Sequence, residues 1–207
     1  MKKILLFIFI LTISFVLFGC DEEVEKIDPT NPKEVWDKFD KTLQLTSSLQ
    51  YYAIDTVEVI NGQTVHGKLI YTTNDLGETV AYKEKGNSKF WWYDGLTYFE
   101  EDGKKLKKAS NINEFLEISE SEFNWTYEMA SDIKMEGNTI SFSIALGGFN
   151  TCNVETKVGK NFIEEITVMV TMIENEQTVS KSLTYRYVNP GKKPEVSLPE
   201  NINEYQY

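Results

Sequence analysis

A chain of 207 residues with 32 acidic against 21 basic side chains, net charge −11, is long enough for one domain around one core, and its surface repels nucleic-acid phosphates. One histidine, His66, and two cysteines are too few for a metal centre or a disulfide framework. Anionic headgroups are repelled as well, so any hold on a membrane must come from apolar groups rather than a basic patch.

Residues 1–19 must be set apart before any folding argument. Lys2 and Lys3 precede the run 4–18, in which only Thr12 and Ser14 are polar. The run is shorter than the roughly 20 residues of a spanning helix and passes directly into Asp21-Glu22-Glu23. This is the pattern of a signal peptide. Leu17-Phe18-Gly19-Cys20 resembles the lipobox of bacterial lipoproteins, matching at Leu17, Gly19 and Cys20 and departing at Phe18. The resemblance implies cleavage between Gly19 and Cys20 and a diacylglyceryl group on the Cys20 thiol. It also implies a lipid anchor in the cell membrane, facing outside the cytoplasm. Two acyl chains suffice for stable attachment. Loss of Lys2 and Lys3 takes the net charge from −11 to −13.

Residues 20–31 are rich in carboxylates and poor in apolar side chains, the composition of a solvated tether that reaches about 40 Å when extended. The remaining 32–207 read as one domain. Asn31-Pro32-Lys33-Glu34 combines a capping residue, proline at the first helical position and a glutamate placed to close a capping box. Val35, Trp36, Phe39 and Leu43 follow at helical spacing, so a helix is expected to about Ser47. Strands are expected at 49–60, 64–73, 79–85, 89–93 and 96–101, divided by Asn61-Gly62, Asp75-Leu76-Gly77, Gly86-Asn87 and Asp94-Gly95. A short helix at 112–119 places Ile112, Phe115 and Leu116 on one side. Further strands are expected at 125–135, 139–146, 149–157, 162–173 and 178–188. Two to four turn residues allow only antiparallel neighbours. The expected fold is therefore α+β and mainly β: a long, curved antiparallel meander forming a half-open barrel, with one or two helices over its concave face.

An acylated cysteine, an acidic tether, one amphipathic helix and an antiparallel meander together resemble the LolA/LppX-type lipoprotein superfamily. The aromatic segment 89–99, Lys-Phe-Trp-Trp-Tyr-Asp-Gly-Leu-Thr-Tyr-Phe, is similar to its aromatic hairpin; the basic stretch 104–108 and the ending Val196-Ser197-Leu198-Pro199 also match its pattern. The resemblance implies a half-barrel around an apolar cavity, and a lipid or acyl chain as ligand. Trp36, Phe39, Leu43 and Trp92 are the residues expected to line that cavity.

Motifs for catalysis are missing: there is no G-x-S-x-G, P-loop or H-E-x-x-H sequence, and His66 falls in a strand where solvation is the default. No enzyme activity, cofactor or metal is expected. Cys152 reads as a small buried hydrophobe. Alternation sends Phe90 and Trp92 to one sheet face and Trp91 and Tyr93 to the other, where the second pair forms either part of a core or a recognition patch. Two functions follow: a membrane-tethered carrier of an apolar ligand, or an adhesion or immunity-type lipoprotein that binds an unknown protein partner through its outer sheet face. A ligand cavity favours the first. A filled barrel with an exposed aromatic patch favours the second.

Overall fold

The computed structural model describes residues 27–116, 125–146, 151–174 and 177–207. The expected signal peptide 1–19, the Gly19-Cys20 junction, residues 20–26 of the tether, the end of the second helix at 117–119 and the Gly147-Gly148 break lie outside the described residues. No helix among the described residues is long and apolar enough to cross a membrane.

Ile27, the first described residue, packs against the core. Asp28 to Asn31 form a turn in which the Thr30 amide donates to Asp28 Oδ1 at 2.9 Å. Helix α1, Pro32–Ser47, begins where its capping residues dictate: Asn31 Oδ1 accepts from the Lys33 amide at 3.1 Å. Glu34 reaches back as expected of a capping box, but accepts from the Asp28 amide and the Asn31 side chain, at 2.9 and 2.8 Å.

Eleven antiparallel strands form one open sheet, with β1 (Tyr52–Ile60) and β11 (Gln177–Tyr187) side by side at its centre. From β1 the sheet runs outward through β2 (Gln63–Thr73), β3 (Thr79–Lys85), β4 (Ser88–Tyr93) and β5 (Leu96–Glu101) to the edge strand β6 (Lys104–Ala109). From β11 it runs through β10 (Ile163–Glu174), β9 (Thr151–Val158) and β8 (Thr139–Ala145) to the other edge, β7 (Ala130–Glu136). The barrel is not closed. Tight turns at Asn61-Gly62, Asp94-Gly95 and Asp102-Gly103 have both residues at positive φ, between 49° and 81°, as primed hairpin turns require.

Two expectations need correction. The sheet is not one long meander but two, because the chain crosses from edge β6 to edge β7 by way of a short helix α2, Ile112–Leu116. Residues 125–135, expected as strand throughout, begin with a 3-10 turn at Tyr127–Met129. The basic stretch 104–108, given no element in the sequence reading, lies in strand β6.

Register divides the sheet into two faces. Ile140, Phe142 and Ile144 of β8, Cys152, Val154 and Thr156 of β9 and Ile166 of β10 share the concave face and are all at most 3% exposed. Over them lies α1, whose Val35, Trp36 and Phe39 complete the core. Inside it Thr46 Oγ1 accepts from the Ile163 amide at 2.8 Å and donates to the Thr42 carbonyl, fixing helix to strand.

The chain after β11 forms a strap along the opposite, convex face. Thr72 Oγ1 donates to the Pro194 carbonyl at 2.9 Å, and Trp91 Nε1 donates to the Ser197 carbonyl at 3.2 Å. Residues 205–207 reach the far edge, where Gln206 pairs with Leu106 of β6 and the Lys107 amide donates to the Gln206 carbonyl at 2.7 Å. Tyr205 is buried edge-on against Tyr98, ring centroids 5.5 Å apart. The strap closes an edge that would otherwise present unpaired backbone.

Candidate functional site

The helix face expected to line a cavity enters packed core. Phe39 is 1% exposed, with its ring centroid 4.9 Å from Phe142 and 5.2 Å from Trp36. Trp36 in turn meets Phe142 edge-on at 5.2 Å, and Leu43 packs against the same cluster. Trp92 lies elsewhere on the concave face, half-buried, with Nε1 donating to the Ser110 carbonyl at 3.0 Å. Structure thus separates Trp92 from the other three. The aromatic pair Trp91 and Tyr93 projects to the convex face as alternation required, and both are half-buried. Trp91 stacks at a tilt on Tyr82 beneath the strap, 5.4 Å between centroids, and Tyr93 donates from its hydroxyl to Glu78 at 2.7 Å.

Space remains on the concave face where α1 does not reach. A cleft of about 360 Å³, open to solvent, lies over β1, β2, β3 and β11, with Leu116 of α2 on its rim. Its apolar wall is built from Leu69, Leu183, Tyr185 and Val65. Pairing of Thr56 with both Gly67 and Tyr185 sets its floor. A Cβ at Gly67 would lie 2.5 Å from Thr56 Oγ1 and 2.7 Å from the Glu84 carbonyl, so only glycine fits there. A second hollow of about 260 Å³ continues along β3 to β6 toward α2, lined by Phe90, Thr97, Phe99 and Phe115. Lys83 borders both.

Charge is concentrated at one end of the cleft. The Glu58 carboxylate accepts from Lys181 at 2.7 Å and from Lys85 at 3.1 Å. These two hydrogen bonds, Lys181 first, hold its carboxyl below the usual glutamate range. Beyond the cleft, toward the start of β1, Tyr52 stacks on Tyr71 at 5.6 Å. Burial pushes the Tyr52 hydroxyl up, and pushes that of Tyr187 up to about 12, so both stay neutral hydrogen-bonding groups.

His66 is exposed and the register sends it to the convex face. Cys152 is a free, buried thiol with its pKa raised by burial. Among the described residues no group of three or more His, Cys, Asp or Glu side chains comes together. Sequence reasoning missed Glu58, Lys83, Lys85 and Lys181, because β1, β3 and β11 bring them together from distant parts of the chain. Strand alternation alone puts Glu58, and Lys83 with Lys85, on single faces. Pairing through β2 joins the faces of β1 and β3, and the β1–β11 pairing adds Lys181.

No protein-family model matches the chain, and no curated protein matches it. Solved structures do. The chain is similar to LprF from Mycobacterium bovis, with a TM-score of 0.43 and 10% identity over 79% of this chain and 97% of that one. It is also similar to the Mycobacterium tuberculosis lipoprotein LppX, with a TM-score of 0.48 and 8% identity over 81% of this chain and all of that one.

Proposed function

We propose that this chain is a non-enzymatic bacterial lipoprotein, anchored in the cell membrane through a diacylglyceryl group on Cys20 and holding a hydrophobic ligand, a lipid or acyl chain, in its half-barrel. The observation that carries the reading is the unfilled part of the concave face, a solvent-open cleft of about 360 Å³ with an apolar wall, within the size range of small-ligand sites. In this reading Leu69, Leu183 and Tyr185 contact the ligand. Trp92 stays beside it, because its cross-strand partner Thr97 and its strand neighbour Phe90 line the second hollow. Trp36, Phe39 and Leu43 serve as the core that holds α1 in place.

A protein-binding outer face has less to stand on. The strap takes up Trp91, and Tyr205 covers Tyr98, which leaves the convex aromatic residues engaged within the chain. Solvent extraction and mass spectrometry of protein purified from its own membrane test the carrier reading. Extraction removes a bound ligand but not the thioether-linked anchor. The expected result is an extractable lipid in near-stoichiometric amount; protein that releases none at all contradicts it.

A further inference from the structure

The cleft has an apolar wall and a cationic end, and the two together define a ligand more narrowly than a hydrophobic molecule. We infer that the cleft takes an amphiphile with an anionic headgroup, phosphate or carboxylate, whose charge sits at Lys85 and Lys181 beside Glu58 while its chain lies on Leu69 and Leu183. This rests on the carrier reading above.

Four observations carry it. Two ammonium groups share the single Glu58 carboxylate, at 2.7 and 3.1 Å, which leaves one positive charge in surplus within this trio. Each ammonium has three donor hydrogens and Glu58 accepts one from each, so donors remain for a second anion. Glu84 and Lys68, which also border the cleft, are engaged on the opposite face. Glu84 accepts from the Tyr82 hydroxyl at 2.7 Å, and Lys68 lies 3.8 Å from Asp55. Finally, the cluster adjoins the apolar wall directly, since Glu58 pairs with Val65 on one side and Leu183 on the other. A cationic recess in a chain of net charge −11 focuses anions that the rest of the surface repels.

A similar trio on the convex face provides a control. Glu165 there binds Lys157 at 2.7 Å and Arg186 at 2.6 Å, but none of the three borders the cleft. Ion pairing alone would make the two trios equivalent. Adjacency to the apolar wall makes only the Glu58 trio a headgroup site.

Three probes with the same oleoyl chain test this in titration calorimetry below their micelle concentrations: oleate, oleoyl lysophosphatidic acid and neutral monooleoylglycerol. Both acidic probes should bind about tenfold tighter than the neutral one at low salt, with the advantage shrinking as salt rises. Joint Lys85→Gln and Lys181→Gln should abolish the advantage. Glu58→Gln should widen it. Lys157→Gln should change nothing. Equal binding of all three probes overturns the headgroup assignment and leaves the carrier reading standing. The assignment also fails if Lys157→Gln shifts the preference as much as the cleft substitutions do. Failure of every probe to bind overturns both.

Discussion

The two halves of this sheet bury themselves differently, although both are antiparallel meanders of similar strand length. In β7–β11 the concave face is the greasy one, and α1 seals it: Ile140, Phe142, Ile144, Val154 and Ile166 are all at most 2% exposed. In β1–β6 the C-terminal strap instead covers the convex face, where Ile70, Thr72, Val80 and Tyr98 are buried. The concave side there is left partly open. A single helix of 16 residues is too short to roof eleven strands, so the half it does not roof keeps the cleft. The strap holds this half from its convex side, through the hydrogen bonds of Thr72 and Trp91 to its carbonyls.

The comparison is broken most severely by emptying the filled half. Phe39→Ala removes a ring that touches Trp36, Phe142 and Trp125, and should destabilise the fold by about 3–5 kcal/mol in thermal or denaturant unfolding. It should not change ligand specificity. Tyr205→Ala strikes the strap and should cost about 2–4 kcal/mol. Its particular signature is faster amide exchange at Lys107, whose partner is the Gln206 carbonyl. Gly67→Ala pushes a methyl group between Thr56 and the Glu84 carbonyl at the cleft floor. It should cost about 1–3 kcal/mol through overpacking and weaken ligand binding as well.

The smallest effect is electrostatic. Glu165, held below the usual glutamate range first by Lys157 and then by Arg186, adds stability above that range, and the contribution is lost as pH falls through its lowered folded-state value. The cations are about half exposed or more, so the effect should not exceed about 1 kcal/mol. Glu165→Gln should flatten the acid limb of a stability-against-pH curve. An unchanged limb would mean that solvent screens the trio entirely.

How much of this was legible in the sequence follows from how local each signal is. The start of α1 was legible because Asn31, Pro32 and Glu34 act within one helical turn, and the hairpins because Asn-Gly and Asp-Gly pairs take positive φ by themselves. Alternation in 139–146 gave the buried face of β8, although Leu146, past the strand end, is exposed. Strand β6 was hidden because an edge strand of four lysines carries no apolar alternation. The strap had no periodicity to read; its order comes from hydrogen bonds to residues more than 90 positions away, such as Thr72, Trp91 and Lys105. The same distance hid the cleft. Lys85 and Lys181 meet at Glu58 only because the two meanders close on each other through β1 and β11. The greasy face of α1 pointed correctly to the concave side, but periodicity cannot tell a packed interior from a hollow one.

The central claim is that ligand occupies the open half and not the space beneath α1. Methyl NMR with a spin-labelled fatty acid tests this directly, because the label broadens signals from the groups it lies against. Broadening of Leu69 and Leu183, with Ile140, Ile144 and Val154 left sharp, is the predicted result. Broadening centred on Ile140 and Ile144 would place the ligand under the helix and contradict the account.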